Sequence, residues 1–223
     1  MCTWLPEVKK TAEVCSKLLP EEYTMSEEDL LIPNDEYLKA GIHIGTKFKT
    51  KHMNNFIYKT RPDGLSVLNI QQIDERIKIL IKFLSNYNPD DIIIVCRREN
   101  GWKALEKVTE LTGIRTFAGR YPPGILTNSE LRSYMETKVM MVVDPWPDKN
   151  AVNDALKIGI PVVALCDTNN QSNNLDLIVP CNNKGKKSIG LVFYLLAKHY
   201  ALNRGIVKNE KDFKHTVEDF TEE

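Results

Sequence analysis

Nothing in the 223-residue sequence is apolar for long enough to cross a bilayer. Its longest uninterrupted apolar run, Leu191 to Ala197, falls far short of the roughly 20 residues a span requires. No cationic stretch leading into an apolar core opens the chain, so export is not expected. Cys-x-x-Cys pairs are absent. The 5 cysteines (Cys2, Cys15, Cys96, Cys166 and Cys181) are odd in number and widely spaced, which fits reduced cytosolic thiols better than a disulfide framework or a zinc site. Cys96 and Cys166 fall inside apolar runs, where cysteine serves as a small core residue. The 4 histidines are scattered, and His43 and His52 are not at a helical ligand spacing, so no metal centre is expected. Charge excess is absent too, with 30 Lys+Arg against 30 Asp+Glu. Any electrostatic function must therefore come from where the charges sit.

One place stands out. From Tyr37 to Pro62 there is no Asp or Glu, while Lys39, Lys47, Lys49, Lys51, Lys59 and Arg61 share the segment with His43 and His52. A neutral chain that gathers cations into an acid-free segment builds a local positive surface suited to phosphates. Phe48, Phe56 and Tyr58 lie among these cations, and aromatic faces can stack on unpaired bases. The plainer alternative is a solvated basic loop.

Three regions follow from the pattern. Residues 1–32 read as an appendage: an amphipathic helix over Glu7 to Leu19, with Val8, Ala12, Cys15 and Leu19 on one face, and then an acidic linker. Residues 33–205 read as a single α/β domain, and 206–223 as a polar surface tail. Within the domain, Asn34 is expected to cap a short helix that Gly41 ends. Strands are expected at Phe56 to Lys59 and Ser66 to Asn69. Strands and helices then alternate: helix Ile70 to Tyr87, strand Asp91 to Cys96, helix Trp102 to Leu111, strand Ile114 to Phe117. Strand Lys138 to Val143, helix Asp148 to Ile158, strands Pro161 to Cys166 and Leu175 to Val179, and helix Lys184 to Asn203 complete the series. Apolar strands without polar alternation, separated by helices, imply a mostly parallel sheet covered on both faces, a three-layer Rossmann-like or flavodoxin-like α/β fold.

Such a sheet raises the question of a site at its carboxyl edge. The strand ending at Cys96 is followed by Arg97-Arg98-Glu99-Asn100-Gly101, one glycine where a dinucleotide fingerprint needs three. Pro180-Cys-Asn-Asn-Lys-Gly-Lys-Lys-Ser188 lacks the first glycine of a P-loop and places Lys187 where Ser or Thr must stand. What remains there is a helix start carrying Lys184, Lys186 and Lys187, able to meet a phosphate through dipole and charge. Asp144 and Asp167 end successive strands. They could serve a phosphosugar or nucleotide enzyme as an acid–base or Mg²⁺ pair. The reading favoured here is that each accepts backbone N–H groups in its own turn, worth about 1 kcal/mol. No Gly-x-Ser-x-Gly elbow is present. Asn128 is expected to cap a short helix from Ser129. A third class, an interaction module working through the arm at Val8 to Leu19, stays open.

Several stretches in order resemble the small-subunit ribosomal protein S2 family, whose eukaryotic members are called SA or laminin-receptor-like. They are Lys39-Ala-Gly-Ile-His-Ile-Gly-Thr46, Phe56-Ile-Tyr58, Asp63-Gly64, Gly119-Arg120-Tyr121 with Pro123-Gly124 and Thr127-Asn128, Val143-Asp144-Pro145, Gly159 to Leu165 with Asp167-Thr168, and Pro180 to Gly185. The resemblance covers about Pro33 to Gly205 and is nearer the archaeal and eukaryotic branch than the bacterial one. It implies a Rossmann-like fold without catalytic activity or cofactor. It also implies a cytoplasmic place in the small ribosomal subunit, bound to ribosomal RNA and neighbouring ribosomal proteins, with no membrane or small-molecule substrate. On that footing the expected RNA contacts are His43, Lys47, Lys49, Lys51, Lys59, Arg61, Arg97, Arg98, Arg120, Lys184, Lys186 and Lys187. The arginines, with Arg115, are the better bidentate phosphate ligands.

Overall fold

A computed structural model of the chain describes residues 30–207, 213 and 215–221. A short helix α1 (Asn34–Ala40) and an antiparallel hairpin, β1 (Ile57–Thr60) and β2 (Ser66–Leu68), precede α2 (Ile70–Ser85). Next come β3 (Ile92–Cys96), α3 (Trp102–Thr112), β4 (Arg115–Ala118), β5 (Val139–Val142), α4 (Lys149–Ile158), β6 (Val162–Cys166), β7 (Leu177–Pro180) and α5 (Lys186–Asn203). The last five strands form one all-parallel sheet in the order β4-β3-β5-β6-β7.

The apolar runs explain this sheet. β3, β5 and β6 are buried at every position, as strands covered on both faces must be. Alternate residues feed two cores. Ile92, Ile94 and Cys96 join α2, α3 and α5 on one face, while Ile93 and Val95 meet Ala151, Val152 and Ala155 of α4 and the loop residues Tyr121, Ile125 and Leu126 on the other. The result is the three-layer architecture read from the sequence. Its strand order is that of flavodoxin-like sheets, and chain direction across the sheet reverses between β3 and β5. In this family of folds the crevice beyond the carboxyl ends at that reversal is where ligands sit.

Helix α2 shows why local signals suffice for most elements. Asn69 accepts a hydrogen bond from the Gln71 N–H at 3.0 Å, capping the helix, and Ile73, Ile77, Leu80, Ile81 and Leu84 are buried at helical spacing. Asp74 on the same helix is fully buried. It accepts from Tyr37 Oη at 2.7 Å and Leu31 N at 3.0 Å and pairs with Lys78 at 2.8 Å, fastening the chain before the hairpin to α2.

Several expectations are corrected. Asn34 is the first helical residue and not the cap, because Pro33 holds that position in extended geometry. Asn128 accepts from Glu130 N, but the chain continues as turns and no helix starts at Ser129. Phe56 is buried, with the Arg76 guanidinium 5.5 Å from its ring centroid, so it is not a stacking platform. The surface tail does not hold for its last described part. Val217–Phe220 forms a 3₁₀ turn whose Phe220 is buried against Gly190 of α5, where a Cβ would lie 2.6 Å from Thr221 and 3.1 Å from the Phe220 carbonyl oxygen. At the other end Ile32 belongs to the core. The amphipathic helix expected at Glu7 to Leu19 and its linker lie outside the described residues.

Candidate nucleic-acid interface

Every carboxyl end of the sheet carries a charged or polar loop. Arg97 and Arg98 follow β3, Arg120 follows β4, Asp144 and Trp146 follow β5, Asp167 follows β6, and Lys184 follows β7 and precedes α5. Gly101, at the start of α3, approaches β3 so closely that a Cβ would lie 2.7 Å from Cys96 Sγ. That close approach is one of the three tasks glycines perform in dinucleotide folds. The other two are missing, and arginines stand in their place.

The carboxylates at the strand-order reversal are engaged by neighbouring side chains. Asp144 is 1% exposed. Its Oδ2 accepts from Arg98 Nε at 2.8 Å and from Arg98 Nη2, while its Oδ1 accepts from Trp146 N at 3.1 Å and Asn170 Nδ2 at 2.8 Å. Asp167, also 1% exposed, accepts from Thr168 N at 2.6 Å and pairs with Lys184 at 3.0 Å. Asn183 Nδ2 completes the network, donating to the carbonyls of Val143 and Leu165 and to Asn170 Oδ1. Both carboxylates do accept backbone N–H groups in their turns, as read from the sequence. Each also neutralises a cation brought from a distant loop. Both carboxylates are buried and paired with cations, and together they tie four strand ends, β3 to β5 through Arg98 and Asp144 and β6 to β7 through Asp167 and Lys184.

The acid-free segment is locked onto this edge. Residues 43–46 run beside β2, with Leu68 N donating to the His43 carbonyl and Gly45 N to the Ser66 carbonyl, both at 2.8 Å. Thr46 N donates to Thr168 Oγ1 at 2.9 Å, Thr50 N to the Thr168 carbonyl at 3.0 Å, and Thr50 Oγ1 to the Asn170 carbonyl at 3.0 Å. Gly45 permits the approach, since a Cβ there would lie 2.6 Å from Thr168 Cγ2. Gly41 has a different task, ending α1 in the left-handed conformation at φ 68°.

These clamps settle where the expected residues lie. Lys47, Lys49, Lys51, Lys59, Arg61, Arg97, Arg120 and Lys187 are exposed, and Arg98, Lys184 and Lys186 are partly buried. Lys49 donates to Thr60 Oγ1 at 2.9 Å, joining the segment to the hairpin that carries Lys59 and Arg61. Arg61 pairs with Asp63 at 3.3 Å on the exposed turn. Arg98 and Lys184 are committed to Asp144 and Asp167. His43 is half-buried, and burial holds its imidazole below the ordinary value against an opposing backbone contact at Tyr37, so it is neutral near pH 7. It stands between core and loop without adding charge. The residues the sequence reading missed are the clamps, Thr46, Thr50, Asn170 and Asn183. Asn170 and Asn183 lie in polar stretches after strands, and Thr46 and Thr50 alternate with the lysines of the basic segment.

Burial shapes the ionisation of the edge. The Cys96 thiol is pushed up to about 12 and those of Cys166 and Cys181 well above their usual range, chiefly by burial, which fits core residues. Asp148, 3% exposed and accepting from Arg97 N at 3.1 Å, is raised to about 6, first by burial and then by Asp144, against the hydrogen bond from Arg97. Its folded value lies above its unfolded one, so the folded state keeps the proton longer. Stability from this group is therefore lost as pH rises from about 4 to 6. Asp148→Asn keeps an acceptor for Arg97 N and removes the buried charge. We expect it to stabilise the protein at pH 8 by roughly 1–2 kcal/mol, below the roughly 3 kcal/mol that a two-unit shift allows, and to have little effect at pH 4. Urea denaturation at both pH values checks this, and a variant no more stable than its parent at pH 8 refutes it.

Fold and edge together define a class: a flavodoxin-like scaffold whose carboxylates at the ligand crevice are held in ion pairs and whose cations face outward, a binding protein. The family model for ribosomal protein S2 matches residues 37–138 and 130–202, and the chain belongs to that family. It is 46% identical over 192 residues to the small ribosomal subunit protein uS2 of Nanoarchaeum equitans, covering 86% of this chain and 96% of that one. To the uS2 protein of Methanococcus maripaludis strain C6 it is 48% identical over 198 residues, 89% of each chain. To that of Picrophilus torridus it is 44% identical over 196 residues, 88% of this chain and 98% of the other. These relatives place it with the archaeal branch.

Proposed function

We propose that this protein is a structural, non-enzymatic constituent of the small ribosomal subunit in the cytoplasm, where its α/β domain at 33–205 binds ribosomal RNA and neighbouring ribosomal proteins. One observation carries the reading beyond family membership. An acid-free segment rich in cations is clamped by Thr46 and Thr50 to a carboxyl edge whose carboxylates are held in ion pairs. In this reading Lys47, Lys49, Lys51, Lys59, Arg61, Arg97, Arg120, Lys186 and Lys187 supply phosphate contacts. Arg98 and Lys184 hold the edge that presents them, and His43 positions the loop from its half-buried place. The enzyme alternative loses support because both carboxylates are buried and each is paired with an internal cation. No helix among the described residues is long and apolar enough to cross a membrane.

Co-sedimentation tests the proposal. The full chain should pellet with small subunits lacking their own copy and should be released as salt rises, because phosphate contacts give back condensed counterions. Failure to pellet at low salt, or retention unaffected by salt, contradicts it.

A further inference from the structure

Phe48 and Trp146 are largely exposed aromatic rings, at 80% and 76%, as is Tyr58 on the hairpin at 76%. The first two belong to chain segments about a hundred residues apart, yet both line one open groove of about 700 Å³ beyond the ends of β5 and β6. A second groove, of about 710 Å³, passes Lys51 and His52 and is lined in part by the same residues, Gln171 and Asn173. Neither lining contains an Asp or Glu, and Lys149 adds a cation beside Trp146. Helix α4 begins at Lys149, which lines the groove.

We propose that this groove clasps unpaired RNA, with Phe48 and Trp146 stacking on successive bases and Lys51 and Lys149 meeting the backbone. The inference rests on the RNA-binding reading above and adds the form of RNA that this site takes. The backbone that carries each ring is held before any ligand arrives. Trp146 lies between Pro145 and Pro147, and its backbone N–H donates to Asp144 at 3.1 Å. Phe48 is carried by the loop that Thr46 and Thr50 clamp to Thr168 and Asn170. A ring on a fixed loop costs less ordering on stacking than one on a mobile loop. Between them lie amide side chains, among them Asn153, Gln171 and Asn173, which can both donate to and accept from base edges. A duplex cannot use such a site, because its bases are already stacked and its A-form surface offers mainly phosphate and 2′-hydroxyl groups.

The test uses the full chain with a single-stranded RNA of about 12 nucleotides and a duplex of similar length. The single strand should bind more tightly and quench tryptophan fluorescence. Phe48→Ala and Trp146→Ala should each lower single-strand affinity by about 5- to 150-fold, the span of one lost base–aromatic stack. Duplex affinity and thermal unfolding should not change, and Trp146→Phe should retain binding. Wild-type affinity in the double alanine variant, or a preference for duplex, overturns the clasp. So does a double variant that binds RNA normally but no longer pellets with subunits, which would make the rings a protein contact. Failure of the wild type to pellet with subunits while the clasp holds would instead count against the ribosomal assignment.

Discussion

Asp144→Asn should lower the stability of the fold by about 3 kcal/mol at pH 7, well beyond the loss of a turn hydrogen bond. The carboxylate is 1% exposed and takes four hydrogen bonds, two of them from Arg98. An asparagine can still accept from Trp146 N, but its amide hydrogens would face the Arg98 guanidinium and leave that cation uncompensated. Removing one partner of a buried pair costs about 3–5 kcal/mol, and the 31% side-chain exposure of Arg98 puts this case at the low end. The sequence reading of about 1 kcal/mol counted only the turn. Urea denaturation of Asp144→Asn measures the loss, and a double variant, Arg98→Met with Asp144→Asn, should recover most of it because no unpaired charge remains. A loss of about 1 kcal/mol in the single variant would mean that solvent screens the pair.

The same comparison shows what the sequence could and could not reveal. Strands β3, β5 and β6 and helix α2 were legible because their signals are local: unbroken apolar runs and 3.6-residue spacing. Cation clustering was legible because it is compositional. The partners of those cations were not, since Arg98 finds Asp144 across 46 positions and Lys184 finds Asp167 across 17. Periodicity carries no information about such pairings. It likewise cannot separate Phe56, folded inward over Arg76, from Phe48, eight positions earlier and left in water. The tail failed for a related reason. Its composition is polar, yet one aromatic, Phe220, meets a helix that a mid-helix glycine, Gly190, leaves bare enough to receive it.

Replacing Lys47, Lys49 and Lys51 together by alanine should remove most of the salt sensitivity that this segment contributes to subunit binding. Each phosphate contact releases close to one counterion, so three lost contacts should flatten the plot of log affinity against log salt by about 2 to 3 units. Because the effect is electrostatic it should be largest at low salt and shrink as screening sets in. The fold should be unaffected: all three side chains are exposed, and the only side-chain hydrogen bond assigned to them among the described residues joins Lys49 to Thr60 at the surface. The clamps that hold the segment use Thr46 and Thr50, which the variant keeps. Filter binding or sedimentation across a salt series reads the slope, with thermal unfolding as the control. An unchanged slope would reduce the segment to a solvated loop and move the RNA contacts to Arg97, Arg120 and the start of α5. A flattened slope, with the fluorescence quench at Trp146 intact, would separate the two kinds of contact this edge makes: charge that positions the protein on phosphates, and rings that take hold of bases.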